Sequence, residues 1–516
     1  MLKKRLFINM SAGIISFAVN MAIGFFLTPY IVSRLGTEAY GFIGLANNFV
    51  NYGSLVTIAL NSMAGRFITI KLYENDREGA CRYFSSLIIA NIAMTVVLLI
   101  PSILCIAHIN KIINIPPDLI GDAKAVFGLS FVNFFIGLVS SVLGICFFAK
   151  NRLDIDSARN IVVNVFKVAF LLSMYAFLPA KILYVPLLAV IISIYILISN
   201  LKYNRRLLPE LKFNKKHFDI KAIKELFLSG IWNVVTKLSC ILSTGLNLLL
   251  ANIFIGANAM GMLSLSRVIP NVILTFFGMM ASIFAPEFTI HYAEKNNVEL
   301  KKHILLSVKI LGMFSSVPIA VLFAYGNDFY SLWLPGQDSR LLQTLTIISC
   351  FEFIFVLPIE GLWNVFTVTN KIKAPSLFLF TNGLFTVIIV FIGINMTSSD
   401  TWSLFLIAGV STAFSIIRAL TFLPLYGAKV LGFKWSVFYP PMIKNFVSVT
   451  LIICASYALK FYFNINNWAV FLSLTVTTGA VAVLLNWFVI LSEADRAVLK
   501  NKLLTKLKPQ SDPLAG

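Results

Sequence analysis

Charge is what this sequence has least of. Only 12% of its 516 residues are Asp, Glu, Lys or Arg, against about 25% in soluble domains. A soluble chain of this length would divide into several domains, each needing a polar surface. With 58% hydrophobic residues, too few polar ones remain to cover such surfaces. Histidine is scarcer still. His108, His217, His291 and His303 all fall in loops or at segment ends, which excludes a histidine metal site or proton relay in an apolar core. The six cysteines form no CxxC pair, so neither a disulfide nor a metal framework is expected. There is no GxxxxGK[ST], GxSxG or HExxH, hence no built-in ATP site and no standard hydrolase site. No cofactor is expected. Energy would come from an ion gradient, the membrane potential or a substrate's own gradient.

Long apolar runs are what the sequence does have. A membrane span needs about 20 mainly apolar residues. Fourteen such segments are read at 9–32, 42–65, 84–107, 123–149, 160–178, 183–201, 226–254, 262–285, 304–325, 341–367, 376–396, 403–425, 441–463 and 468–491. The expectation is an all-α polytopic membrane protein. The first run, from Leu6 to about Val32, is too long for a signal peptide and is read as a retained span.

The net charge of +20 suggests nucleic acid, but no basic domain separates from the apolar segments. Its distribution explains it better. With an even number of spans both termini share one side, and the segments on that side hold 31 of the 42 Lys and Arg residues. The opposite side holds six: Arg34, Lys111, Lys124, Lys181, Arg340 and Lys460. Positive loops stay inside, so both termini are expected in the cytoplasm. No outside loop is long enough for a domain.

The chain also repeats itself. Shifted by 220 residues, Leu35-Gly36-Thr37-Glu38-Ala39-Tyr40-Gly41 meets Ile255-Gly256-Ala257-Asn258-Ala259-Met260-Gly261, and the register holds to Glu74/Glu294. Both copies enter from the cytoplasm, which makes the repeat parallel, a transporter signature. The expected division is a lobe over 1–201 (spans 1–6), a basic linker over 202–224, a second lobe over 225–425 (spans 7–12), two further spans over 426–492 and a basic tail over 493–516. Linker and tail interleave bases with apolar residues. That pattern fits a segment lying on the anionic inner leaflet, and equally a plain positive-inside loop.

Polar stripes mark the candidate site. Span 7 carries Asn233, Thr236, Lys237, Cys240, Ser243, Thr244 and Asn247 at helical spacing. Span 2 carries Asn47, Asn51, Ser54 and Asn61, and span 8 carries Arg267 and Asn271 at the positions of Asn47 and Asn51. Such stripes either join helices or line a wet central cavity between two lobes. Seven ionisable residues lie inside spans: Lys167, Lys237, Arg267, Lys309, Glu352, Glu360 and Arg418. Each is costly there and needs a cavity or a partner. Lys309 is close enough to a span end to snorkel. Lys167 and Arg418 could pair with Glu352 or Glu360, yet five cations face two anions, and the surplus suits an anionic substrate. Pro358, between the two glutamates, predicts a kink or break. Glu352 and Glu360 are candidates for proton coupling or for structural salt bridges.

The run Pro29-Tyr30-Ile31-Val32-Ser33-Arg34-Leu35-Gly36-Thr37-Glu38-Ala39-Tyr40-Gly41 resembles the first hairpin of the polysaccharide transporter family. These are the Wzx-type flippases of O-antigen and capsule repeat units, within the MOP superfamily that also holds the MATE exporters. Leu249 to Pro286, with Gly256 and Gly261, resembles the start of that family's second lobe. The resemblance implies two pseudo-symmetric six-helix lobes plus two C-terminal helices, alternating between inward and outward openings. It implies translocation of an undecaprenyl-diphosphate-linked oligosaccharide from the cytoplasmic to the outer leaflet of the bacterial inner membrane. Glycosyltransferases and a polymerase of the same pathway would be partners, beside membrane lipids. For the diphosphate the candidates are Lys237 and Arg267, then Arg418 and Lys167. Asn47, Asn51, Asn233, Asn247 and Asn271 could bond sugar hydroxyls. Two other classes compete. A MATE-type cation exporter needs cavity acids, and the first six spans contain none. A polymerase or ligase typically needs a large outside loop.

Overall fold

The computed structural model describes residues 2–493 and 496. The described chain is helical, with no strand. Fourteen of its helices are long and apolar enough to cross a membrane. They are α1 (Ser11–Leu35), α2 (Thr37–Tyr73), α3 (Arg77–Ala107), α4 (Pro117–Ala149), α5 (Leu153–Phe177), α6 (Tyr184–Leu207) and α7 (Ile220–Phe254). The others are α8 (Ala257–Ala293), α9 (Asn297–Trp333), α10 (Ser339–Ile359), α11 (Lys373–Met396), α12 (Asp400–Leu431), α13 (Tyr439–Tyr462) and α14 (Trp468–Val489). Each contains or overlaps one expected segment. Helices satisfy their own backbone, which a bilayer core demands. The protein is a multi-pass membrane protein. The expected basic tail lies outside the described residues apart from Glu493 and Arg496.

The repeat extends beyond the hairpin that revealed it. α2 and α8 start at Thr37 and Ala257, α3 and α9 at Arg77 and Asn297, and α5 and α11 at Leu153 and Lys373, each pair 220 residues apart. The turns match as well. Gly36 (φ 84°) and Gly256 (φ 138°) precede α2 and α8, in a region that a Cβ would strain. Asn75 (φ 59°) and Lys295 (φ 54°) occupy equivalent left-handed positions. The next residues, Asp76 and Asn296, accept the N–H of Gly79 and of Glu299 and so cap α3 and α9.

The described residues group into two compact units, 2–265 with Ser376–Ile407, and Ser266–Pro375 with 408–493. The first has a core around Leu60, Ile68, Phe84, Leu87, Phe147 and Leu226. Inside it α2 crosses the start of α8 at glycines. A Cβ on Gly41 would lie 2.9 Å from Gly261 Cα, one on Gly261 would lie 2.4 Å from Thr37 O, and one on Gly44 would lie 2.7 Å from Ser264 Oγ. Gly41/Gly261 and Gly44/Ser264 are themselves partners by the 220-residue shift. Equivalent positions meeting one another is what a two-fold relation produces, and small residues let such backbones approach.

α2 also packs along α7, where a Cβ on Gly230 would lie 1.9 Å from Ala59 O. Backbone cannot yield as a side chain can. Gly230→Ala is therefore expected to cost about 1–3 kcal/mol by overpacking. An unchanged melting temperature in detergent would contradict that close approach.

The linker differs from a segment lying on a leaflet. Leu208 and Leu211 turn into the core of the first unit, while Phe213 and Phe218 stay exposed. The Asn214 and Asp219 backbone N–H groups donate to Ser85 Oγ (3.2 Å) and Ser86 Oγ (2.8 Å). Asp219 also pairs with Arg82, and Tyr83 donates to Glu225. The linker is thus a strap tied across the start of α3. The second unit is packed around Phe288, Ile304, Phe366 and Phe438, and around Phe277, Leu311, Phe353 and Leu357.

Candidate functional site

Interruptions in α7, α8 and α10 position the candidate residues that these helices carry. α7 runs as Ile220–Cys240, a π turn over Ile241–Gly245, and Asn247–Phe254. The π turn is closed by Leu246 N donating to Ile241 O at 3.0 Å. It widens the helix by one residue, and such turns gather at functional sites. Gly245 O accepts both Asn48 Nδ2 (2.9 Å) and Tyr52 Oη (2.7 Å) from α2. The inserted residue also rotates everything beyond it. Asn247 leaves the stripe that regular spacing puts it on, is buried, and donates to Ile407 O at 2.8 Å.

Before the π turn the stripe holds. Lys237 stands midway along α7, roughly 25 Å of helix from either end. It is half-buried, and its Nζ donates to Asn51 Oδ1 at 3.1 Å. An ammonium has three donors and wants a negative partner when removed from water. Asn51 offers a neutral amide instead, and no carboxylate among the described residues forms an ion pair with Lys237. One turn before it, Asn233 Nδ2 donates to Ser62 Oγ at 2.9 Å. Thr236 bonds Ser376 at 2.9 Å. Asn47 and Asn51 are both exposed on α2. The first unit therefore brings Lys237 and Asn51 into contact, with Asn233 one turn along α7 and Asn47 one turn along α2. Lys167 lies elsewhere, half-buried on α5, with no hydrogen bond or ion pair to any described residue.

The second unit holds the other charged candidates. Arg267 occupies the break between Ala257–Ser266 and Val268–Ser282. The Ser266 carbonyl beside it accepts Thr346 Oγ1 at 3.1 Å. α10 breaks as Pro358 predicts. Ser339–Cys350 gives way to a short turn Phe353–Val356, a 3-10 turn Leu357–Ile359, and a further helix Leu362–Val368. Glu352 and Glu360 lie at the joints. Glu352 accepts a hydrogen bond from Ser415 and lies in the field of both Arg418 and Arg267. Glu360 lies in the field of Arg418. The Arg418 guanidinium lies 6.0 Å from the Trp363 ring centre, and its Nε is buried without a hydrogen-bond partner. Two cations thus face two anions. Asn271, on α8, is exposed and makes no hydrogen bond through its side chain to a described residue.

Sequence reading missed Asn48, Tyr52, Ser415 and Trp363. Asn48 and Tyr52 sit one position past Asn47 and Asn51, so a weak second stripe was available. Ser415 is three residues before Arg418, on the same helical face. Among the described residues no group of three or more His, Cys, Asp or Glu could hold a metal ion.

A family model described as "Polysaccharide biosynthesis protein" matches residues 6–289. The uncharacterised membrane protein EpsK of Bacillus subtilis is 27% identical over 500 residues, 97% of this chain and 98% of that one. Among solved structures, the lipid II flippase MurJ in an inward closed conformation is similar with a TM-score of 0.64 at 14% identity, over 96% of this chain and 99% of its own. An inward-facing multidrug resistance MATE transporter of the MOP superfamily is similar with a TM-score of 0.61 at 14% identity, over 83% of this chain and 98% of its own.

Proposed function

Because the chain belongs to the polysaccharide biosynthesis protein family and has the MOP fold, we propose that it is a flippase for lipid-linked oligosaccharides. The substrate is an undecaprenyl-diphosphate-linked repeat unit, moved from the cytoplasmic to the outer leaflet of a bacterial cell membrane for surface polysaccharide. Both chain termini lie in the cytoplasm, following the placement of basic loops. One observation carries this reading: Lys237, an ammonium at mid-span, donates to the neutral Asn51 amide. The acids inside spans, Glu352 and Glu360, already face arginines. The cationic surplus therefore rests with Lys237 and Lys167, and a diphosphate complements it. Lys237 binds the diphosphate, and Asn47, Asn51 and Asn233 of the same unit bond sugar hydroxyls. Arg267, Arg418 and Asn271 belong to the second unit, and Lys167 lies apart on α5. Asn247 is left out, since its amide is committed to the Ile407 carbonyl.

The solved lipid II flippase supports this choice over drug export, because its match extends to 96% of the chain against 83% for the MATE transporter. A cation exporter would also need acids free to attract its substrate. Purified protein in liposomes tests the reading directly. A fluorescent undecaprenyl-diphosphate oligosaccharide placed in the inner leaflet should become accessible to an impermeant quencher faster than in empty liposomes. Transport of a cationic dye without movement of the lipid would replace the proposal with the exporter.

A further inference from the structure

A groove between α5 and α6, within the first unit, is used by none of the groups above. Two adjoining cavities form it. One, of about 390 Å³, is lined by Asp154, Arg159, Tyr195, Ser199 and Tyr203 among others. The other, of about 340 Å³, is lined by Val162, Val163, Phe166, Ile191, Ile192 and Tyr195. Val162 and Tyr195 belong to both, so the two are continuous. Arg159 is roughly 9 Å along α5 from its start at Leu153, and Phe166 roughly 20 Å. The polar cavity is therefore at interface depth, and the apolar one runs toward the middle of the membrane. Each has the volume of a small-molecule site.

Arg159 is 9% exposed. Its guanidinium donates to Asn200, to Ser199 Oγ (3.4 Å) and to Asp156, and lies 5.1 Å from the Phe147 ring centre. Its Nε is buried with no partner. Three of five possible donors are thus used. Buried donors, those of a guanidinium above all, are normally satisfied. The charged residues that line the polar cavity are one of each sign, Arg159 and Asp154, and each has a partner behind the lining, Asp156 for Arg159 and Arg152 for Asp154 at 3.0 Å. An anionic ligand gains nothing from a neutral site. A zwitterion gains from both ends, with Arg159 for a phosphate and the remaining lone pairs of Asp154 for an ammonium.

We propose that this groove is a resident lipid site holding one zwitterionic aminophospholipid. Its phosphate meets Arg159, its amine meets Asp154, and one acyl chain lies along Val162 and Phe166 against Ile191. With basic loops inside, the lipid belongs to the cytoplasmic leaflet. The site is independent of transport, since it shares no residue with the Lys237 cluster.

The full chain, stripped of lipid in mild detergent, is incubated with equal amounts of synthetic phosphatidylethanolamine, phosphatidylglycerol and phosphatidylcholine, and bound lipid is counted by native mass spectrometry. Wild type should retain one phosphatidylethanolamine per chain. Val162→Trp fills the apolar groove at a position 60% exposed, where bulk is tolerated. It should cut retention at least tenfold with an unchanged melting temperature, and Arg159→Gln should cut it similarly. No retained lipid, or equal retention by Val162→Trp, overturns the site. Phosphatidylglycerol held as well as phosphatidylethanolamine overturns the zwitterion assignment, and phosphatidylcholine, a zwitterion with no N–H to donate, held as well overturns the amine contact with Asp154. Displacement of the lipid by undecaprenyl diphosphate would assign the groove to the substrate instead.

Discussion

Lys237→Ala is expected to abolish surface polysaccharide while the amount of protein in the membrane stays at the wild-type level. The two halves of that result have separate causes. A central lysine costs about 2.5–3.5 kcal/mol to insert, so losing it does not burden folding. The bond lost is a single neutral-acceptor contact to Asn51, of the kind that averages about 0.6 kcal/mol between membrane helices. A charge-assisted bond to phosphate is worth about 1.5–3 kcal/mol, and an ammonium can make more than one. Transport should therefore fall by roughly a hundredfold, using tenfold per 1.4 kcal/mol. Two companions sharpen the reading. Lys237→Gln can keep a hydrogen bond to Asn51 but has no charge, and should be nearly as inactive as Lys237→Ala. Lys237→Arg keeps the charge on a wider group and should retain part of the activity. Normal surface glycan in both the Ala and Gln variants would remove Lys237 from the substrate path.

Much of the fold could be read directly because membrane burial leaves few choices. Fourteen apolar runs became fourteen helices, and the 220-residue shift seen in Gly36/Gly256 reappears in the caps Asp76/Asn296. Those features depend on local chemistry: a glycine where φ is positive, a side-chain oxygen where a helix needs a cap. What the sequence hid depends on phase and on tertiary partners. Helical spacing assumes an unbroken 3.6-residue period, and the π turn at Ile241–Gly245 removes Asn247 from its stripe. Glu352 and Glu360, eight residues apart, share a face only on a continuous helix. α10 is broken between them, yet both lie in the field of Arg418 on α12. No spacing rule specifies that meeting. The linker shows the same limit: Leu208 and Leu211 are legible as apolar, but their burial in the protein is set by Ser85, Ser86 and Arg82 holding the strap.

Arg418→Leu is expected to be the most destabilising of the charge changes, and its rescue separates pairing from substrate binding. Arg418 faces both Glu352 and Glu360, while Arg267 acts on Glu352. Removing Arg418 therefore takes from Glu360 its nearby positive charge; both groups are half-buried, and neighbouring charges of this kind couple by about 0.5–3 kcal/mol. The melting temperature should drop sharply and the membrane level of the protein should fall. Replacing both members of opposed charges with apolar residues is often neutral. The double variant Arg418→Leu/Glu360→Leu should therefore regain at least half of the lost stability, a coupling that a double-mutant cycle measures directly. Transport then decides what stability cannot. If Arg418 acts through the network, transport recovers along with stability in the double variant. If Arg418 binds the diphosphate, the double variant folds and stays inactive, because the phosphate contact is not restored by deleting a carboxylate. The Arg267 side supplies the control. Glu352→Gln keeps an acceptor for Ser415, so it should cost less stability than Arg418→Leu. It also frees positive charge toward any anion that enters, so a diphosphate-binding Arg267 would be expected to hold substrate more tightly in that variant and to release it more slowly.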